Sequence, residues 1–255
     1  MNRRLKRTKA FISSITFFIL SLILIFGLVY GIKYICSMKD DTRMPIYRVN
    51  TDDKKIALTF DVAWGSENMD DIMKVLDKHK IKSTFFLVGS WVDDNKELVK
   101  KLDEKGHEIG NHSNTHASMK ELSDEDITNE IQITAEKIAN ITGKKTNLYR
   151  PPFGEIDDKT MDICEALGYK VVKWDVDSLD WKEIGPTHVI ERVIKGSQPG
   201  SIVLFHANVN NIADYLDSII TRLKKDGYEM VKLSDLIYED DYTINSNGEQ
   251  QIKDK

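Results

Sequence analysis

Cysteine is scarce in this sequence, and positive charge is not in excess. The 255 residues include two cysteines, Cys36 and Cys164, from which neither a disulfide framework nor a cysteine-rich metal site can be read. The formal net charge is −5, and the basic residues are dispersed except at the extreme N-terminus. This distribution argues against a nucleic-acid partner. The remaining composition, 41% hydrophobic and 30% charged, is typical of one globular domain.

The N-terminus contains a long stretch without charge. Residues 10–32 are all uncharged. A helix of this length, at about 1.5 Å per residue, is long enough to cross the hydrocarbon layer of a membrane. Basic residues within 1–9 precede it, and by the positive-inside rule they hold the N-terminus in the cytoplasm. A cleaved signal peptide is the alternative, but the stretch exceeds a usual signal core and no A-x-A-like site follows. We therefore predict a single-pass anchor in the cell membrane, with the following domain outside the cytoplasm.

Beyond the anchor, apolar runs alternate with helical periodicity. This alternation indicates a parallel α/β fold, either an open sheet or a closed barrel. Ser123 begins a capping-box sequence ahead of a helix that we expect to reach Asn140. The predicted segments are a basic stretch (1–9), the anchor (10–32), a linker (33–53), the globular domain (54–238) and a polar tail (239–255) that we expect to be frayed. The predicted strands are residues 55–61, 83–88, 107–111, 147–150, 170–176, 201–206 and 228–232.

Side chains with catalytic chemistry follow several of these strands at their carboxyl ends. Because the carboxyl ends of parallel strands meet at one edge of the fold, we expect these groups to converge on one face. The residues concerned are Asp61, His112, His116, Arg150, Asp175, Asp177, Asp180 and His206.

His112 and His116 are candidate metal ligands. In a helical turn their spacing of four would direct both imidazoles to one side, where they could share a tetrahedral divalent ion such as zinc. An H-x-x-x-H pair also fits two surface histidines.

Arg150 and His206 each allow a catalytic and a structural interpretation. Two prolines and a glycine follow Arg150, an arrangement that can hold its guanidinium against a carboxylate such as Asp61, or form a structural loop with a surface ion pair. His206 ends an apolar strand and could be a satisfied core histidine. Because it shares an edge with acids and histidines, a general-acid role is favoured.

Five short motifs, "TFDVAWG", "HSNTH", "RPPFG", "DSLDW" and "IVLFHA", occur in this order along the chain. Their sequence and spacing resemble the polysaccharide deacetylase family, the NodB-homology or carbohydrate esterase family 4 domain, over roughly residues 54–235. The resemblance implies a distorted (β/α) barrel of about seven strands. It also implies metal-dependent removal of N-acetyl or O-acetyl groups from polysaccharides such as peptidoglycan, chitin or xylan.

The resemblance further implies a role for each matching residue. The divalent metal is expected to be zinc, with cobalt or another ion as alternatives. The implied roles are Asp61 as general base, Arg150 as the residue that orients it, His112 and His116 as metal ligands, His206 as general acid, Asp180 as its partner, and Phe153 and Trp181 as the walls of the sugar groove.

The first motif departs from the family pattern. The family has a second acid directly after the base as its third metal ligand, and this chain has Val62 there. The aromatic residue and glycine that follow resemble the sporulation branch of the family, the group called PdaB, in which a similar apolar replacement occurs. The resemblance implies a spore-forming Gram-positive source and a part in late spore development. We expect a weak metal site unless Asp61 itself becomes a ligand.

Three functions stay open at this point. The first is an active peptidoglycan deacetylase, the second a membrane-tethered glycan-binding protein without turnover, and the third a scaffold in a spore-wall complex. Retention of both Asp61 and His206 favours the first, because binding alone requires neither a base nor an acid. Val62 favours the second. An O-acetyl ester is an alternative substrate, since an ester needs less activation than an amide.

Overall fold

The computed structural model describes residues 26–27 and 44–253. None of the helices in these two ranges combines the length and apolar character that a bilayer crossing requires. The anchor predicted over residues 10–32 lies outside the described residues, apart from positions 26 and 27.

Strands and helices alternate through the folded part of the chain, as the apolar pattern predicts. The strands are β1 (Arg48–Val49), β2 (Lys55–Val62), β3 (Thr84–Leu87), β4 (Glu108–Asn111), β5 (Leu148–Tyr149), β6 (Lys170–Val171), β7 (Val176–Asp177), β8 (Ile202–His206), β9 (Glu229–Val231), β10 (Tyr242–Ile244) and β11 (Glu249–Ile252). The helices are α1 (Met69–His79), α2 (Gly89–Asp94), α3 (Lys96–Glu104), α4 (Asp124–Thr142), α5 (Asp158–Ala166), α6 (Pro186–Gly196) and α7 (Ile212–Lys225). Short 3-10 helices occur at Met119–Glu121, Pro152–Gly154, Asp180–Lys182 and Leu233–Asp235.

The main sheet is a half-barrel of parallel strands. Its order is β6-β5-β4-β3-β2-β8-β7, and β9 pairs with the start of β2. This confirms the expected α/β architecture with about seven strands. The predicted strand 170–176 is wrong in one respect, because it forms two short strands at opposite ends of the sheet. β6 pairs with β5 and β7 pairs with β8, so the intervening residues cross the open side of the half-barrel.

β2 lies at the centre of the sheet and separates two environments. Side chains alternate between the two faces of a strand, so adjacent residues point in opposite directions. Asp61 lies among the polar groups described below, whereas Phe60 and Val62 are fully buried in the apolar cluster that packs under the helices. Val62 therefore belongs to the hydrophobic core.

α4 confirms the predicted helix start. The Ser123 side chain caps it by accepting a hydrogen bond from the Asp126 backbone N–H at 3.2 Å. The helix ends at Thr142, two residues beyond the expected end at Asn140. Its C-terminal cap is Gly143, whose φ of +71° is a left-handed conformation that glycine adopts without a side-chain clash.

The C-terminal tail forms regular structure up to residue 252, contrary to expectation. β10 and β11 form an antiparallel hairpin, and β11 also pairs in parallel with β1. Gln250 is fully buried there, and its side-chain amide makes two hydrogen bonds of 2.9 Å with the backbone of Tyr238. Backbone pairing and this buried amide stabilise the hairpin, so the segment needs no apolar periodicity.

Candidate active site

The predicted base and the predicted acid end neighbouring strands. Asp61 lies near the end of β2, and His206 lies at the end of β8 directly opposite Asp61 in the strand register. The Asp61 carbonyl accepts a hydrogen bond of 3.0 Å from the Ala207 N–H, which extends the pairing past His206. The parallel sheet therefore places the two side chains beside each other.

Arg150 holds Asp61 in a buried ion pair. Its Nη1 donates to Asp61 Oδ1 at 2.8 Å, and its Nη2 donates to the Lys173 carbonyl at 2.9 Å. The guanidinium is fully buried and lies 4.1 Å from the centre of the Phe86 ring. Burial by itself would raise the pKa of Asp61, but the charge and hydrogen bond of Arg150, together with the charge of His206, outweigh it and lower that pKa. Asp61 is therefore ionised and oriented, as a general base must be.

His112 has a defined tautomer. Its Nδ1 lies 2.7 Å from the Arg150 carbonyl, which can only accept, so Nδ1 carries the proton. Its Nε2 lone pair faces Asp61 Oδ2 at 3.5 Å. Burial lowers the pKa of His112, which keeps the ring neutral. A neutral imidazole with a free Nε2 has the form that a metal ligand requires.

The segment from His112 to His116 is a loop, so the helical turn expected from its spacing is wrong. Ser113 and His116 have φ values of +65° and +60°, which are left-handed backbone conformations. The Ser113 hydroxyl accepts the His116 N–H at 3.0 Å, and the Asn111 side chain accepts the Ser113 N–H at 3.0 Å. The two imidazoles nonetheless lie side by side, with ring centres 4.9 Å apart.

Glu130 on α4 supports this loop, and the sequence reasoning missed it. Its Oε2 accepts the Asn114 N–H at 2.9 Å and the Thr115 N–H at 2.8 Å, while its Oε1 accepts the Thr115 hydroxyl at 2.9 Å. A glutamate on the polar side of an amphipathic helix does not indicate which residues it contacts, and here the contacted loop lies fifteen residues earlier in the chain.

Asp180 fixes the orientation and charge of His206. Its two carboxylate oxygens accept the His206 N–H at 2.9 Å and the ring Nδ1–H at 2.8 Å. The Tyr215 hydroxyl donates to the same carboxylate at 3.4 Å. Burial alone would lower the pKa of His206, but the hydrogen bond and charge of Asp180, together with Asp61, raise it. His206 is thereby held as a proton donor with Nε2 free.

Aromatic side chains surround these polar groups. Phe153 is 63% exposed and lies 4.6 Å from His116 between ring centres, while Trp181 is 53% exposed and directly follows Asp180. Phe153 has a φ of +59°, a strained conformation that the "RPPFG" turn imposes. Trp64 also contacts His116, at 4.9 Å between ring centres. Trp64 was not predicted as a site residue, although the aromatic residue of the first motif marked its position.

Two acids from the predicted set are structural. Asp175 accepts hydrogen bonds of 2.8 Å from the Ser201 hydroxyl and the Ile202 N–H, which fasten it to the start of β8. Asp177 accepts the Leu179 N–H at 2.8 Å and stabilises the turn before Asp180. Neither carboxylate joins the group around Asp61.

The donors do not complete the metal site that the family resemblance implies. His112 and His116 offer two imidazoles, but Asp61 is already paired with Arg150, and Val62 is buried in apolar core. Within the described residues, no group of three or more His, Cys, Asp or Glu side chains could hold a metal ion. A catalytic zinc ordinarily takes three protein ligands, so this chain supplies an incomplete set.

Comparisons with known proteins identify the family of this chain. The sequence profile of the polysaccharide deacetylase family matches residues 48–172. An uncharacterised protein of Bacillus subtilis, YlxY, is 35% identical over 76% of this chain and 61% of its own length. The peptidoglycan-N-acetylmuramic acid deacetylase PdaA of the same organism is 36% identical over 78% of each chain. The chain thus spans 61% of the length of YlxY and 78% of the length of PdaA.

A solved structure of similar fold is BA3943 from Bacillus anthracis, described as a pseudoenzyme of family CE4. It is 38% identical to this chain, with a TM-score of 0.73 over 75% of this chain and 68% of its own. A mutant of BA3943 is described as having restored enzymatic activity. The chain is therefore similar both to a protein named as a deacetylase and to a protein described as a pseudoenzyme.

Proposed function

Because this chain belongs to the polysaccharide deacetylase family, we propose that it is a hydrolase of carbon–nitrogen bonds that removes N-acetyl groups from a cell-wall glycan. One observation carries the proposal. Asp61 and His206 lie opposite each other at neighbouring strand ends, and each is held by its own buried partner, Arg150 or Asp180. A protein that only bound glycan would need neither a fixed base nor a fixed acid.

The chain's own residues account for both proton transfers. Asp61, kept ionised by Arg150, takes a proton from a water whose oxygen attacks the acetyl carbon. His206, kept charged by Asp180, gives its proton to the sugar nitrogen as the carbon–nitrogen bond breaks. Acetate and a free amine are the products. His112 and His116 are the residues that would hold a divalent ion, but they supply only two of the three protein ligands that a catalytic zinc ordinarily takes, so neither proton transfer is assigned to an ion.

The substrate class proposed is peptidoglycan. Two relatives support it by name, since PdaA is a peptidoglycan-N-acetylmuramic acid deacetylase and PgdA of Listeria monocytogenes is a peptidoglycan-N-acetylglucosamine deacetylase. We further propose that residues 10–32 anchor the protein in the cell membrane with the site outside the cytoplasm. A part in spore formation rests on the resemblance of the first motif to the sporulation branch.

A second candidate is glycan binding without turnover. The observation that favours it is Val62, which leaves two imidazoles where the family pattern has two imidazoles and an acid. The similarity to BA3943, a protein described as a pseudoenzyme, supports the same alternative.

Acetate release distinguishes the two candidates. The full chain in detergent is incubated with peptidoglycan or with N-acetylglucosamine oligomers, with and without added zinc or cobalt. Asp61→Asn and His206→Asn remove the base and the acid, and His188→Asn on α6 is the matched control because His188 is exposed and outside the group around Asp61. Acetate that disappears in the first two variants and persists in the control supports the deacetylase. Glycan binding without acetate from any variant supports the second candidate.

A further inference from the structure

Three exposed aromatic side chains lie on loops that follow the strands at the site. Trp64 is 60% exposed, Phe153 is 63% exposed and Trp181 is 53% exposed. Among residues 44–253, the other exposed large apolar side chains are Ile133 and Ile252, which lie on α4 and β11. Large aromatic rings are costly to leave in water, and exposed ones grouped around polar residues mark ligand-binding grooves. Phe153 and Trp181 were expected in this role, whereas Trp64 was not.

Trp64 and Phe153 bracket one imidazole. The Trp64 ring lies 4.9 Å from His116 at an interplanar angle of 63°, and the Phe153 ring lies 4.6 Å from it at 73°. Both contacts are T-shaped, a geometry that leaves part of each ring uncovered. The exposed fraction of each ring confirms that a broad apolar surface remains open to solvent beside His116.

The loop that carries Trp64 is fastened at Gly65 and Asn68, directly after the ring. The Trp91 indole N–H donates to the Gly65 carbonyl at 2.6 Å. The Asn68 side chain donates to the Ala207 and Val209 carbonyls at 3.1 and 3.0 Å, which joins this loop to the loop that follows His206. A ring on a fastened loop loses little conformational entropy when a ligand binds, so Trp64 is preorganised for contact.

We propose that Trp64 is a sugar-stacking residue that sets specificity on the β2 side of the groove. This inference rests on the proposed function, because it names the face of an N-acetylated hexosamine as the ligand. A pyranose ring has apolar C–H faces and polar edges. It matches a groove in which an open aromatic face stands beside carboxylate and imidazole groups. Trp64 then receives one sugar face while the acetamido group reaches Asp61 and His206.

Calorimetric titration of the full chain in detergent with N-acetylglucosamine oligomers tests the proposal. Trp64→Leu keeps apolar bulk but removes the flat ring, and we expect it to weaken binding about tenfold. Trp64→Phe keeps a ring and should stay within about threefold of wild type. Ile252→Ala is the matched control, since Ile252 is equally exposed at 60% but lies on the C-terminal hairpin, and its affinity should not change.

The outcomes separate this inference from the proposed function. Wild-type affinity in Trp64→Leu overturns the stacking role and leaves the reaction at Asp61 and His206 untouched. Equal weakening in the leucine and phenylalanine variants also overturns it, because a merely structural contact with His116 would be lost in both. If the wild-type chain does not bind the oligomers, the inference is overturned. If the wild-type chain also releases no acetate in the assay described above, the proposed function is overturned as well. Thermal melting of each variant shows that the fold is kept.

Discussion

Replacing Arg150 by methionine would leave Asp61 buried without its charge partner. The substitution removes the 2.8 Å ion pair and the 2.9 Å hydrogen bond to the Lys173 carbonyl, while the methionine chain retains contact with the Phe86 ring. Breaking a buried ion pair by deleting one member costs about 3–5 kcal/mol, because the remaining charge stays desolvated. For a domain of this size that loss lowers the melting temperature by roughly 6–20 °C.

The loss of stability in Arg150→Met depends on pH because it depends on the ionisation of Asp61. In the wild type its pKa lies below the ordinary 3.8, so the pair stabilises the fold fully above about pH 4. That stabilisation is lost as the pH falls through the lowered folded pKa. Without Arg150, the effect of burial on Asp61 is less opposed and raises its pKa, so Asp61 protonates in the variant at a higher pH. The difference in melting temperature should therefore be largest near pH 7 and narrow as the pH is lowered.

Thermal unfolding of the full chain, followed by circular dichroism at several pH values, measures this difference. Lys74→Met is the control, because Lys74 pairs with Asp71 on the surface at 2.6 Å with 75% of its side chain exposed, and its loss should leave the melting temperature unchanged. Combining Arg150→Met with Asp61→Asn should recover part of the lost stability. A difference under about 2 °C at pH 7, or one that does not vary with pH, would refute the reasoning.

Three further predictions concern the groups around the site. Asp180→Asn should shift the NMR titration of His206 to lower pH. In the wild type this pair stabilises the fold below the unfolded pKa of 6.5 and loses that contribution as the pH rises through the raised folded pKa, so the variant's stability deficit should be greatest in acid. Glu130→Ala removes three hydrogen bonds to the loop before His116, and we expect a loss of about 1–3 kcal/mol with faster amide hydrogen exchange in that loop; unchanged exchange would contradict the supporting role. Val62→Asp places a carboxylate in apolar core and should lower the melting temperature without zinc. Because position 62 faces that core and not the imidazoles, added zinc should change the melting temperature of the variant no more than that of the wild type, and a larger rise in the variant would contradict this placement.

Much of the active site was predictable because sequence pattern and strand topology act together. Asp61, Arg150 and His206 each end or follow an apolar strand, and parallel strands bring such residues to one edge regardless of their separation in sequence. The Ser123 cap was predictable for a similar reason, since the capping hydrogen bond depends on neighbours three residues apart.

Features that depend on long-range contacts were not predictable. The spacing of His112 and His116 suited a helical turn, but Glu130 on α4 accepts the Asn114 and Thr115 N–H groups and holds the segment as a loop. The polar tail showed no periodicity, yet it folds because Arg48–Val49 offers a strand edge for it to pair with. In both cases the partner lies far away in sequence or on another element.

The sequence by itself determined that an acid at position 61 and an apolar residue at position 62 follow one another at the end of an apolar strand. Only the tertiary structure decided which face became the site. The packing of helices against Phe60 and Val62 made one face hydrophobic core, and the approach of Arg150 and His112 made the other face polar. A strand's two-residue repeat assigns side chains to alternate faces, but the chemistry of each face depends on which distant residues pack against it.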